Sequence, residues 1–347
     1  MESMNSPDAK IIRSRAPLRI SFGGGGTDVS PYCDERGGRV LNATINRYAY
    51  VTLVPNETGR VRLHSLDYDQ TVEYQSNAPV PDYDNTMDLA KGVIRHLRVD
   101  EIKGGFDLYT HTDCPPGSGL GASSTMVVAM MGAFDTWLKL GLSPYEMASQ
   151  AFEIERVELG IHGGRQDQYT AAFGGFNFME FEGDKALVNP LRITRDAVAE
   201  LEYSLVLAYT GSSRHSSAII ENQMANYSAG ENQAIEAMDR TKALATALKE
   251  ELLRGNYRAF GELLHDAWEQ KKQMSNRISN PQIDTLYAAA RNAGALGGKI
   301  SGAGGGGFMY FFTQFDRRHQ VEEALRAAGA DVVYFGFTEQ AVQTWIR

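Results

Sequence analysis

An α+β fold in two parts is what the chain predicts, and three observations carry it. Short runs of period-two alternation are interleaved with helical stretches over the first half. A new strand beginning near Phe176 opens a second half in which three amphipathic helices follow one another. The chain then closes on a helix and a strand. These observations divide the chain into an N-terminal domain at 10–175 and a C-terminal domain at 176–347.

In chain order, Ile11 to Phe22 and Tyr48 to Val54 have strand character, as do Val61 to His64 and Thr71 to Tyr74, with polar turns between them. Met87 to Leu97 reads as a helix. Gly105 to His111 alternates as a half-buried strand does, and Thr125 to Met131 reads as a buried helix. Ser143-Pro144-Tyr145-Glu146 is a helix start, with Ser as cap, Pro at the first helical position and Glu three residues after the cap. That helix should run to about Leu159 and stop before Gly160. Tyr203 to Tyr209 is a strand, followed by helices over Ser216 to Tyr227, Asn232 to Arg254, Tyr257 to Met274 and Pro281 to Ala293. Gln320 to Ala328 as helix and Val332 to Phe337 as strand complete the pattern.

Composition narrows the function. At 347 residues and 43% hydrophobic content the chain can bury two cores of ordinary size. A net charge of −9 argues against nucleic acid or an anionic membrane as partner, since both want a basic face. Two cysteines, Cys33 and Cys114, are too few for a disulfide framework or a zinc site and fit a reducing compartment. With no apolar run near 18 residues and no signal-like N-terminus, the expectation is a soluble cytoplasmic protein.

The chemistry is concentrated in glycine loops. Pro115-Pro116-Gly117-Ser118-Gly119-Leu120-Gly121-Ala122-Ser123-Ser124 runs from a strand into a helix. Glycines let backbone N–H groups approach an anion, and a helix N-terminus offers unpaired donors and a dipole of the right sign. Ser123 or Ser124 could cap the helix and turn a hydroxyl to a phosphate or its metal, although an ordinary glycine-rich connection with a Ser cap would look the same. No Lys precedes the serines, so this is not a Walker A loop. Gly302, Gly304 and Gly307 form a G-x-G-x-x-G, yet Phe308 to Phe312 after them reads as a strand, which excludes a dinucleotide fingerprint. Near the N-terminus, Arg19 sits mid-strand and Gly23 to Gly26 precede Thr27 and Asp28. That Asp could accept hydrogen bonds from hydroxyls or simply suit a turn.

Glu155 falls inside the apolar stripe Ala148, Ala151, Phe152, Leu159. A core-facing carboxylate needs a metal, a buried Arg or an intrahelical partner. Asp167 follows within a glycine-flanked loop, either as a second functional carboxylate or as a helix cap.

The order A-P-L-R, P-P-G-S-G-L-G-A-S-S, an Asp in a glycine-flanked loop, and G-G-K-I-S-G-A-G-G-G-G-F resembles the GHMP kinase superfamily from about Ile11 to the end. That resemblance implies an N-terminal domain like ribosomal protein S5 domain 2 and a ferredoxin-like C-terminal domain, with ATP and Mg²⁺ as cofactors. It assigns Pro116, Gly117, Ser118, Gly119, Leu120, Gly121, Ala122, Ser123 and Ser124 to ATP phosphates. Ser123 and Glu155 would serve Mg²⁺, Asp167 and Arg19 the phosphoryl transfer, and the loop Gly302, Ala303, Gly304, Gly305 would close on the phosphates. Phe22-Gly23-Gly24-Gly25-Gly26-Thr27-Asp28 departs from the G-E-H-T-D of galactokinases. Together with Thr210-Gly211-Ser212-Ser213-Arg214-His215-Ser216-Ser217 it is similar to the D-glycero-D-manno-heptose 7-phosphate kinases, which phosphorylate an anomeric hydroxyl to the 1,7-bisphosphate for surface polysaccharide. Gly25, Gly26, Thr27 and Asp28 would then bind sugar. Arg214 and His215, with Arg165 and Arg47 behind them, would clamp its phosphate. A fucose- or galactose-type sugar kinase and a non-catalytic sugar and ATP sensor are the rival readings, and a homodimer is compatible with the sequence.

Overall fold

The computed structural model describes residues 10–99, 104–212 and 216–347. Arg214 and His215 lie outside the described residues.

The first half runs β1 (Ile12–Gly23), α1 (Tyr32–Arg36), β2 (Gly38–Asn56), β3 (Arg60–Ser65), β4 (Gln70–Gln75), α2 (Asp88–His96), β5 (Gly105–Thr112), α3 (Ala122–Leu138), α4 (Pro144–Phe152) and α5 (Gln166–Phe173). It continues into β6 (Phe176–Glu182) and β7 (Lys185–Pro190). The second half runs α6 (Arg195–Ser204), β8 (Leu205–Tyr209), α7 (Ser216–Ser228), α8 (Asn232–Arg254), α9 (Tyr257–Met274), α10 (Pro281–Asn292), β9 (Ala295–Ile300), β10 (Phe308–Thr313), α11 (Arg318–Ala327), β11 (Asp331–Val333) and β12 (Gln343–Ile346).

Two sheets organise the molecule. The larger has the order β12-β1-β2-β5-β3-β4, and the long β2 also carries β6 and then β7. β6 and β7 therefore continue a sheet that begins before residue 175, and the division at 175/176 falls inside it. The smaller sheet is antiparallel in the order β11-β8-β10-β9, its fourth, first, third and second strands, which is the ferredoxin-like arrangement.

Alternation explains the layering. In β10, Phe308, Tyr310 and Phe312 face a core shared with Leu18, Ile20 and Phe22 of β1 and with α8, while Met309 and Phe311 face α10 and α11. β1 spans both cores, with Ile12 and Ala16 in the first and Leu18, Ile20 and Phe22 in the second. A register shift separates Pro17 from Arg19. The intervening Arg19 and Ser21 point the other way, which aims them at the site. α3 is buried from Val127 to Phe134 on every side, as an apolar central helix should be.

Some expectations need correction. Tyr203 and Ser204 end a helix rather than start a strand, and Phe337 forms only an isolated bridge to Ile45 beyond the short β11. The capping box at Ser143 is present as expected, but α4 stops at Phe152 and gives way to a π-helical turn, Glu153–Glu158. Among the described residues no helix is long and apolar enough to cross a membrane.

Candidate active site

A cavity of about 280 Å³ opens where the loops after β1, before α3, before α5 and before β10 meet, with side chains from α7 and α9. Four cationic side chains, Arg19, Arg156, Lys271 and Lys299, line it against three carboxylates, Asp28, Glu155 and Asp167.

Arg19 ties the site together. Its guanidinium donates to both carboxylate oxygens of Asp167 (2.7 and 2.9 Å) and to the Gly119 carbonyl (2.6 Å), and it lies 3.3 Å from Ser301 Oγ. The fork-on-carboxylate geometry fixes both planes, which a Lys would not do.

The two glycine loops are locked face to face. Gly119 has φ +78° and a Cβ there would sit 2.4 Å from the Ser301 carbonyl; Gly302 has φ +77° and a Cβ there would sit 2.7 Å from the Gly119 carbonyl. Phe308 N–H donates to the Ser118 carbonyl (2.8 Å), which pins one loop on the other. Gly121 is the N-cap of α3 in left-handed conformation, and the first intrahelical bond is Thr125 N–H to Gly121 carbonyl (3.0 Å). The N–H groups of Ala122, Ser123 and Ser124 thus remain for an anion. Neither Ser123 nor Ser124 caps the helix.

Both hydroxyls go instead to Glu155, which is 1% exposed. Ser123 donates to Oε1 (2.7 Å), Ser124 to Oε2 (2.5 Å) and the Gln168 amide to Oε2 (2.8 Å), while Arg156 lies 3.2 Å from Oε1. The π-helical turn makes this possible. Leu159 N–H bonds five residues back to the Ile154 carbonyl (3.0 Å), and the wider turn brings both Glu155 and its neighbour Arg156 to the cavity.

Asp28 is buried, accepting from the N–H groups of Gly26 and Gln166 (3.0 Å each). Gly25 and Gly26 line the cavity, but Thr27 does not, because its hydroxyl is held at the Gly24 and Arg39 carbonyls (2.8 and 3.1 Å). Ser118, Gly302, Ala303 and Gly304 line the cavity; Gly305 faces away, its N–H on the Ile278 carbonyl (2.8 Å). Pro116 is outside the lining and Leu120 is in the core. Arg165 stacks over Phe152 and pairs with Asp34 (3.3 Å), and Arg47 donates to the Tyr334 carbonyl (2.9 Å), so neither reaches the cavity.

Sequence reasoning missed Lys271, Lys299, Arg156 and Gln223. Burial pushes Lys271 down to about 8 from its ordinary value, partly offset by Asp28 and reinforced by Arg19. Lys299 is also pushed well below the ordinary lysine value by burial, with Lys271 and Arg19 adding to the effect. A lysine in the apolar stripe Phe260, Leu264, Ala267, Lys271, Met274 carried the same signal as Glu155 did in its helix.

A helix N-terminus open to an anion, with a charged pair a strand away, is the geometry of a small-molecule phosphotransferase built from two α+β lobes. The sequence profiles agree: GHMP kinases N terminal domain matches residues 88–175, and GHMP kinases C terminal matches residues 248–331. The chain belongs to the GHMP kinase family. It is 42% identical over 97% of its length to the D-glycero-alpha-D-manno-heptose 7-phosphate kinase of Campylobacter jejuni, covering 99% of that protein. A crystal structure of a D-glycero-D-manno-heptose 1-phosphate kinase from Bacteroides thetaiotaomicron superposes with a TM-score of 0.81 at 40% identity, covering 96% of this chain and 98% of that one. Lactococcus lactis galactokinase with galactose shares the fold at 19% identity, with a TM-score of 0.76 over 96% and 95% of the two chains.

Proposed function

We propose that the protein transfers the γ-phosphoryl group of MgATP to the anomeric hydroxyl of D-glycero-D-manno-heptose 7-phosphate, giving the 1,7-bisphosphate and ADP. The heptose is common to the relatives at 42% and 40% identity, and the 7-phosphate is taken from the first, the heptose 7-phosphate kinase of Campylobacter jejuni. The observation that carries the chemistry is the bidentate Arg19–Asp167 pair beside the loop at Gly119.

In this reading the N–H groups at the start of α3 hold the ATP phosphates, and the loop at Gly302 to Gly304 covers them. The acceptor oxygen attacks the γ-phosphorus, the bond to the β–γ bridging oxygen breaks, and ADP leaves. Each Asp167 oxygen keeps a lone pair beyond its bond to Arg19, so the carboxylate orients the acceptor hydroxyl and takes its proton as the new bond forms. Arg19 stabilises charge growing on the transferring oxygens. Asp28 accepts from sugar hydroxyls.

Glu155 and Ser123 offer a buried carboxylate and a hydroxyl side by side (2.7 Å) at the cavity wall, a hard-oxygen set that suits Mg²⁺ completed by phosphates and water. When bound, the ion would neutralise phosphate charge. The same reading places the enzyme in the cytoplasm, acting on small molecules.

Coupled ADP release with MgATP and a panel of heptose 7-phosphate, mannose 6-phosphate, free heptose, galactose and fucose tests it. Turnover confined to heptose 7-phosphate is expected, and turnover only with unphosphorylated sugars, or none, would overturn the assignment.

A further inference from the structure

Lys271 and Lys299 are an unexplained expense in the fold. Both are 3% exposed. Among the described residues their ammonium groups meet only backbone carbonyls: Lys271 reaches Gly25 (3.4 Å), and Lys299 reaches Ser21 and Phe22 (3.3 and 3.5 Å). These are long contacts to neutral acceptors, and the Ser21 carbonyl already accepts from the Tyr310 hydroxyl (2.8 Å). Buried charges without a counter-ion cost several kcal/mol each, so a fold that keeps two side by side needs an anion to offset them. Both lysines line the cavity with Arg19, which, unlike them, has a carboxylate partner in Asp167. All three carboxylates of the cavity are hydrogen-bonded to other donors; Asp28 acts on Lys271 through space only, and Lys299 feels no such anion. Ser21 Oγ is 2% exposed, lines the same wall and has no hydrogen-bond partner.

We infer that Lys271, Lys299 and Ser21 form a seat for a phosphoryl dianion on the acceptor side of the cavity, separate from the helix N-terminus that takes the ATP phosphates. The inference deepens the proposed function and rests on it for the identity of the acceptor. Two sources carry that chemistry: the phosphate already on the sugar, and the phosphoryl group in flight.

Lys271→Met and Lys271→Arg separate them. The Met variant keeps the volume and removes an ammonium whose hydrogen bond is a 3.4 Å contact to the neutral Gly25 carbonyl, while Asp28 keeps its bonds from the Gly26 and Gln166 N–H groups, so the fold should survive. Loss of one charge-assisted hydrogen bond corresponds to about a 10- to 100-fold effect. If the seat holds the sugar's phosphate, K271M raises KM for heptose 7-phosphate by that factor with kcat and the KM of ATP unchanged, and K271R recovers most of it. If it holds the transferring group, kcat falls by that factor with both KM values unchanged. Either split supports the seat. Unchanged kinetics in K271M, or equal loss for phosphorylated and free heptose through KM alone, overturns it. Failure of the acceptor assignment shows separately, as a wild type inactive on heptose 7-phosphate. In that case thermal shift with inorganic phosphate decides: the helix N-terminus is intact in both proteins, so phosphate should raise the melting temperature of both but of wild type by more than K271M, and an equal rise in both overturns the seat.

Discussion

Replacing Asp167 by Asn tests the centre of the mechanism with the smallest available change in shape. The carboxylate takes two guanidinium bonds, at 2.7 and 2.9 Å, from an Arg19 side chain that is 4% exposed. Asn keeps one acceptor oxygen and turns an NH₂ towards the other guanidinium nitrogen, so one charged bond is lost and one donor is left facing a donor. Breaking a buried pair outright costs about 3–5 kcal/mol. Here Asp167 is 17% exposed and Arg19 retains the Gly119 carbonyl, which argues for roughly 2 kcal/mol. A chain of 347 residues has an unfolding entropy of about 0.7 kcal/mol/K, so the melting temperature should fall by about 3 °C. The variant is therefore folded at assay temperature. Turnover should nonetheless drop by about 10²- to 10⁴-fold, the range for losing a general base, with the KM of ATP within about threefold of wild type. Coupled ADP release and a thermal melt on the same preparation read both quantities. Turnover within tenfold of wild type would remove Asp167 from the proton-handling role, and a melting loss large enough to unfold the enzyme at 25 °C would refute the worked geometry.

Glu155→Gln should raise the Mg²⁺ concentration for half-maximal activity by at least about tenfold, because the carboxylate is the hard anionic donor of the set. It should also lower the melting temperature, since Arg156, Ser123, Ser124 and Gln168 then converge on a neutral amide; an unchanged Mg²⁺ titration would clear Glu155 of that role. The pH dependence of stability should carry the signature of Lys271. Its folded value of about 8 lies below the ordinary 10.5, so between these pH values the unfolded chain binds more protons. The penalty for burying this charge is complete below pH 8 and is relieved as pH rises to 10.5. The stability of wild type relative to K271M, free of ligand, should thus rise across that window by something on the order of 3 kcal/mol. Denaturant titrations of both proteins at pH 7, 8, 9 and 10 measure it, and a flat difference would contradict the buried ammonium.

Local signals were legible in the chain and long-range ones were not. The capping box at Ser143, the strand after Gly307 and the helices over 216–274 follow from neighbouring residues, which is where periodicity and cap chemistry operate. α6 ran unnoticed into β8, since Leu201 to Tyr209 is apolar enough for either period. β12 escaped because four residues at the C-terminus become a strand only by pairing with Ile12 to Arg15, at the other end of the chain. The buried position of Glu155 was visible as a carboxylate in an apolar stripe, but the π-helical turn that adds Arg156 to the same wall was not, because periodicity presumes a constant helix pitch. Lys271 carries the same signal as Glu155, a charged residue in an apolar stripe, but a lysine there is ambiguous because its stem can lie on the core while its head reaches water. Here the residue is 3% exposed and lies on the cavity wall instead of the outer surface.

One strand explains why so scattered a set of residues can act as a single site. β1 gives Leu18, Ile20 and Phe22 to the core beneath the ferredoxin-like sheet, and the alternate side chains Arg19 and Ser21 to the cavity. Arg19 then reaches partners 100, 148 and 282 residues away in Gly119, Asp167 and Ser301. Its guanidinium can be shared among them only if the register of β1 against β2 is right, since a slip of one residue would turn Arg19 into the core and a Leu or Ile towards the phosphate loop. The apolar residues that hold that register are therefore part of the chemistry's positioning. The site is assembled at the junction of the two sheets because β1 passes there from one core into the other, and rigid packing is what keeps three distant segments within hydrogen-bond distance of one guanidinium.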